Sequence, residues 1–322
     1  MSIKHTLEKL HQKKLKQLAG IIILIGLLAF LAYNIFKNWN EIRKYPWQFD
    51  YHYLLAGFVL YTINLFATGA IWGAIITRLS GIKGFLLHIR WYCITNLAQR
   101  LPTPIPFVGA RAEVYASLGV PRPLTLTGMS LEITITVVGA LLVSIVTLPF
   151  AIAEITQLLG NYWLWLFLIP ILLIIIKPKW LFKMLGWIFN RFNLAFSPPE
   201  IRSMDMFIWT GLFAVIWIVG GILYYLLANS IYPVPLNEML GMINVFAISG
   251  VIGWLGQLFF FIPLVTVRQV AVAYLLSFFM PWPVAVGMAL LTRLAVMIYE
   301  FIWAVFFFLT SRKTIRGIIN EK

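Results

Sequence analysis

The sequence predicts an all-α polytopic membrane protein, with six transmembrane helices, two re-entrant helical hairpins and an inverted internal repeat. Three observations predict it. Of 322 residues, 61% are hydrophobic and only 11% charged, where soluble domains average about 45–50% and about 25%. Apolar runs of about 20 residues recur, the length that crosses a bilayer. Two further apolar stretches are each broken by proline near their centres. This composition excludes a soluble globular domain, a disordered chain and a coiled coil. No polar segment is long enough for a second folded unit, so residues 1–322 read as one transmembrane domain.

The first span covers about 18–36. Its basic leader is long and no small-x-small site follows Tyr33-Asn34-Ile35, so it reads as a retained anchor. The second span covers about 52–77. The next apolar stretch, 85–120, contains Gln99-Arg100-Leu101-Pro102-Thr103-Pro104-Ile105-Pro106. Three prolines in five residues cannot sit inside a helix, because each lacks a donor and clashes with the preceding turn. The third span covers about 124–149, and the fourth, about 161–176, carries a kink at Pro170. Leu181, Met184, Leu185, Ile188, Phe189 and Phe192 then recur at helical spacing between Lys183 and Arg191, the pattern of a helix lying in the interface. The fifth span covers about 205–231. The second broken stretch, 238–280, contains Phe261-Ile262-Pro263-Leu264-Val265, and the sixth span covers about 284–310. Broken backbone at membrane depth must be buried in protein or face a wet cavity. Each broken stretch therefore reads as two half-helices meeting at a turn, marked by Pro102, Pro104, Pro106 and Gly109 in the first and by Pro263 in the second.

The formal charge of +14 reflects topology. Arg100 and Arg111 of the broken stretch apart, eighteen of the 25 basic residues fall before span one, between spans two and three, between spans four and five, and after span six. Placing all four groups in the cytoplasm satisfies the positive-inside rule and puts both termini there, in a plasma membrane. Anionic headgroups suffice as counter-ions, and no nucleic acid is implied. Cys93 is the one cysteine, the four histidines have no ligand spacing, and neither a P-loop nor a dinucleotide fingerprint occurs. No metal or other cofactor is expected.

The two broken stretches resemble each other. Ile105-Pro106-Phe107-Val108-Gly109-Ala110-Arg111 matches Ile262-Pro263-Leu264-Val265-Thr266-Val267-Arg268 as I-P-x-V-x-x-R. Pro121 and Pro123 then match Pro281 and Pro283, and Gly128-Met129 matches Gly287-Met288. Repeat one would run from about 18 to 150 and repeat two from about 161 to 311. The hairpins enter from opposite faces, so the repeats are inverted, which is how many secondary transporters are built. Ionisable groups at depth are expensive and mark function. Here they are Arg100, Arg111, Glu113 and Glu132 in repeat one, and Arg268, Arg293 and Glu300 in repeat two, with Asn96 and Gln269 beside them. A polar cavity between the repeats would use them. Alternatively, pairs such as Glu132 with an arginine simply lock helices together.

Asn96, the proline turn, Gly109, a charged helix through Tyr115, the Gly119-Val120-Pro121 link and the long span after it resemble the first core motif of the lysylphosphatidylglycerol synthase/flippase transmembrane-region family. The turn followed by Val267-Arg268-Gln269-Val270-Ala271, Pro283, Gly287 and Arg293 resembles its second. These motifs lie within about 95–140 and 248–300. The first turn keeps one glycine, Gly109, where the family's turns are glycine-rich, and Gln269 stands where an acid is common. The resemblance implies a lipid-translocating domain, in some members fused to a soluble aminoacyl-lipid synthase that is not present here.

The expected function is thus a lipid flippase or scramblase-like transporter for an anionic or polyprenyl-phosphate lipid. Arg111 and Arg268 would contact the headgroup. With no nucleotide motif, transport would be passive or coupled to an ion or the membrane potential. A membrane-embedded lipid-modifying enzyme is the alternative, though no D-x-D pair supplies its metal or base. A scaffold for a partner enzyme is another. The partners expected are anionic membrane lipids, with a homo-oligomer or a partner lipid synthase as further possibilities. The topology has a direct check. Without Cys93, cysteines at Lys4 and Glu321 should resist labelling from outside intact cells and cysteines at Lys44 or Glu238 should accept it; a labelled terminus contradicts the orientation.

Overall fold

The computed structural model describes residues 45, 47–100, 105–150, 183, 186–187, 201–260 and 264–320. The described residues are helical, joined by short turns. Helix α1 spans Tyr51–Ser80. Asp50 caps it, its carboxylate accepting from the His52 backbone N–H at 2.9 Å, a bond that holds this carboxyl below its ordinary range. Gly81 ends the helix in the left-handed region (φ 77°) and donates to the Thr77 carbonyl at 2.8 Å, a termination that favours glycine. Helix α2, Phe85–Asn96, runs into a 3₁₀ turn at Leu97–Arg100, and α3 spans Ile105–Ser117. After a turn at Gly119 (φ 88°), α4 spans Arg122–Thr147, with Pro123 tolerated in its first turn. In the second half, α5 spans Ser203–Asn229, α6 Met239–Phe260, α7 Leu264–Leu276 and α8 Trp282–Asn320.

Five of these helices are long and apolar enough to cross a membrane: α1, α4, α5, α6 and α8. The fold is that of a multi-pass helical membrane protein. Four of the expected spans fall on α1, α4, α5 and α8. Those at 18–36 and 161–176, and the interfacial helix expected over 180–196 apart from Lys183, Gly186 and Trp187, lie outside the described residues. The second broken stretch differs from the expectation of two half-helices. Its first limb, α6, has 22 residues, about 33 Å at about 1.5 Å per residue. Pro263 follows just past the centre of the stretch, yet the limb before it is already a full span in length.

The packing order sets up the site. Helix α1 packs on α2 and α5, α4 on α5 and α6, and α8 on α7 and α2. Outward rows are apolar: Leu55, Val59 and Ile63 of α1 and Leu294, Ile298 and Phe301 of α8 are all exposed. In a soluble protein such rows would be a liability. In lipid they are the expected exterior, and polar groups turn inward.

Glycine lets α5 approach its neighbours. A Cβ at Gly139 of α4 would sit 3.1 Å from the Ala214 backbone. At Gly221 it would collide with the Ile243 backbone, and at Gly220 and Gly250 with the rings of Phe246 and Trp217. In membranes, close packing through small residues is the main source of helix association. Gly221→Ala should therefore destabilise the fold by about 1–3 kcal/mol, read as a lower melting temperature in detergent. Gly211→Ala, which meets nothing within 4 Å, should leave it unchanged; equal melting of the two variants would contradict this packing.

Candidate functional site

A cavity of about 190 Å³ lies among α1, α2, α3, α4, α5, α6 and α7. Tyr61, Asn64 and Thr68 of α1 line it, with Asn96 of α2, Glu132 of α4 and Arg268 of α7. Its depth follows from the helices. Asn64, Glu132 and the cavity-lining Trp217 lie near the midpoints of α1, α4 and α5. A membrane enclosing these helices places the cavity near its mid-plane.

Among the described residues, the most buried charge lies behind the cavity wall. Arg111 is 0% exposed. Its Nη1 donates to Glu132 Oε2 at 2.6 Å and its Nε to Thr95 Oγ1 at 3.3 Å. Rings close over the guanidinium, with centroids at 4.7 Å for Trp72, 4.5 Å for Tyr92 and 4.5 Å for Phe107. Ring faces stabilise a desolvated cation. Arginine suits such a place, because its planar group stacks and hydrogen-bonds at once. Glu132 thus faces the cavity with its charge compensated from behind.

Arg268 sits in a similar cage. Its guanidinium lies 4.4 Å from the Phe246 ring, 5.6 Å from Trp217 and 6.0 Å from Tyr224. The Trp217 Nε1 pins that ring by donating to the Thr136 carbonyl at 2.8 Å. The cages correspond in register. Trp72 is the twenty-second residue of α1 and Tyr224 the twenty-second of α5. Tyr92 is the eighth of α2 and Phe246 the eighth of α6.

Glu300 of α8 is buried, and its Oε1 accepts from the Tyr61 hydroxyl at 2.7 Å and from Asn96 Nδ2 at 3.0 Å. It fixes the orientation of two cavity-lining groups. Asn64 Oδ1 is buried and has no hydrogen-bond partner among the described residues. Leaving a buried acceptor without a donor costs about 1–3 kcal/mol.

The other residues singled out from sequence distribute differently. Glu113 lies on the surface, where Arg122 bonds both its oxygens at 2.8 and 2.9 Å and holds its carboxyl below the ordinary range. Arg293 and Gln269 are half-buried on α8 and α7 and are not among the cavity-lining residues. Gly109 is exposed within α3 rather than at a turn, and a Cβ there would meet nothing. Pro106 is the second residue of α3. Pro102, Pro104, Pro263 and the side chain of Arg100 lie outside the described residues.

Sequence reasoning missed a support beneath the first cage. The Trp72 Nε1 donates to the Tyr115 hydroxyl oxygen at 2.8 Å, and that hydroxyl lies 2.9 Å from His88 Nδ1. His88 Nε2 lies 3.1 Å from the Ile82 carbonyl. A carbonyl can only accept, so the imidazole hydrogen belongs on Nε2 and Nδ1 accepts from Tyr115. His88 therefore helps to seat Trp72 over Arg111. No single spacing in the sequence signals this chain of contacts.

Against known proteins, the chain matches no family model and no curated sequence.

The Arg111–Glu132 pair has a measurable signature. Removing one partner strands the other charge, which costs about 3–5 kcal/mol. Arg111→Gln and Glu132→Leu should each melt far earlier than the parent. The double variant Arg111→Met/Glu132→Leu should recover most of the loss, because an apolar pair strands nothing. A double variant as unstable as the sum of the singles would contradict a simple buried pair.

Proposed function

We propose that the protein is a lipid flippase or scramblase-like transporter, moving an anionic or polyprenyl-phosphate lipid between leaflets. The observation that carries this reading is Arg268, with Glu132 and Asn96, on the otherwise largely apolar wall of a small cavity at the midpoints of three long helices. A guanidinium fork suits phosphate. The second charge on that wall, Glu132, is balanced by Arg111. The volume also fits a headgroup. At about 30 Å³ per water, it holds about six waters, enough for a phosphate and a small substituent but not for acyl chains. Those would stay in the bilayer against the exposed apolar rows while the headgroup crosses.

An inverted repeat is the natural means of alternating exposure. Its support here is the matched register of the two arginine cages and the reciprocal packing, α2 on α8 and α6 on α4. The resemblance to the lysylphosphatidylglycerol synthase/flippase membrane region agrees with this reading. Both termini in the cytoplasm of a plasma-membrane protein would complete it.

The test is translocation of fluorescent phosphatidylglycerol in reconstituted vesicles. Arg268→Gln should abolish it in protein that still folds, and Arg268→Lys, which keeps charge but loses the fork, should reduce it. Wild-type rates in Arg268→Gln would sink the proposal.

A further inference from the structure

Two donors on α2 have no place in the chain's own hydrogen bonds. Arg90 Nε and Trp91 Nε1 are both buried, and neither has a hydrogen-bond partner among the described residues. Leaving a buried donor without an acceptor is costly, so each calls for an acceptor from outside the chain. The second half of the chain supplies the contrast. In the register that pairs the arginine cages, Arg90, the sixth residue of α2, corresponds to Asn244, the sixth of α6. Asn244 Nδ2 donates to the Ser144 carbonyl at 2.8 Å and to Thr147 Oγ1 at 3.0 Å, both on α4. Arg90 Nε finds no such acceptor among the described residues.

The surroundings identify what supplies it. Helix α1 is long enough to cross a membrane and ends at Ser80, and α2 begins after a short turn at Phe85. Arg90 follows five residues later, about 7.5 Å at about 1.5 Å per residue. One polar interface of a bilayer is about 5–7 Å thick, so Arg90 comes at the level of lipid phosphates and glycerol esters. The side of α2 is the outer one. Leu86 is exposed and Leu87, Arg90, Trp91 and Ile94 are half-buried, whereas His88, Ile89, Tyr92 and Cys93 are buried. Neither Arg90 nor Trp91 lines the cavity. We infer that α2 holds the phosphate of an anionic phospholipid on its outer side. Arg90 donates to the phosphate, for which a guanidinium is suited, and the Trp91 indole N–H donates to a phosphate or ester oxygen of the same lipid. Lys83, exposed in the turn before α2, adds positive charge that favours an anionic lipid over a zwitterionic one. This lipid is a bound component of the fold and not the cargo, so the site stands whether or not the protein moves lipid.

The experiment places the protein in phosphatidylcholine vesicles containing some phosphatidic acid, with brominated chains on one lipid or the other. Brominated chains quench the indoles they touch, and subtracting the emission of Trp91→Phe from that of the parent isolates Trp91. At Trp91 the parent should prefer phosphatidic acid to phosphatidylcholine about tenfold, the equivalent of one good hydrogen bond to a charged group. Arg90→Gln, measured with and without Trp91→Phe, should lose the preference. Arg90→Lys, which keeps charge but loses the Nε donor, should retain only part of it. Equal quenching of Trp91 by the two lipids in the parent overturns the inference. So does a parent-like preference in Arg90→Gln or Arg90→Lys. A preference of the same size at the remaining tryptophans would mark diffuse surface charge and overturn it too. Loss of the preference in millimolar inorganic phosphate would assign the site to a free anion and not to a lipid.

Discussion

A guanidinium and a carboxylate held together at mid-depth, Arg111 with Glu132, are the constraint around which the rest is arranged. Neither charge is tolerable alone in an apolar medium, since desolvation costs several kcal/mol per ion. Three rings and a threonine surround the arginine, and the His88–Tyr115–Trp72 chain holds one of those rings in place. Helices α1 to α4 thus converge on one pair. The carboxylate that results is fixed in position and balanced in charge, yet it borders a cavity.

The cavity follows from what surrounds that pair. Glycines bring α5 close to α4 and α6, which seats Trp217 and Phe246 beside Arg268. Glu300 ties α8 to α1 and α2 through Tyr61 and Asn96, fixing two groups of the cavity lining. The polar and charged groups of the lining thus lie inside a shell whose outer rows are apolar.

Much of the architecture was legible because long apolar runs have few alternatives. The limits of α1, α4 and α5 follow the runs at 52–77, 124–149 and 205–231, and α8 starts with the run at 284–310 but continues ten residues past it to Asn320. The length of α6 was not legible, because proline marks where a helix stops without saying how far the preceding limb extends. In the site, Glu132, Arg268 and Asn96 stood out as polar groups at depth. Arg111 stood out equally, yet it lies behind the wall, since a charge in an apolar run does not reveal which side of its partner the cavity occupies. Glu113 was grouped with them by proximity to Arg111, but two residues along a helix turn the side chain to another face, and Arg122 claims it at the surface. Tyr61, Asn64 and Thr68 carry no charge and sit in a run that reads as an ordinary span. Their place on the cavity wall emerges only when the helices pack.

The central claim is that water and a headgroup reach the mid-depth of this bundle. In protein lacking Cys93, a cysteine placed at Thr136, on the cavity wall, can be compared with one at Ile63, on the exposed row near the midpoint of α1. A small membrane-impermeant thiol reagent applied to reconstituted vesicles should modify the Thr136→Cys protein, and added phosphatidylglycerol should slow the reaction. The Ile63→Cys protein should stay inert. A Thr136→Cys protein as unreactive as Ile63→Cys would mean that the cavity is sealed and that its charges serve only to bind helices together.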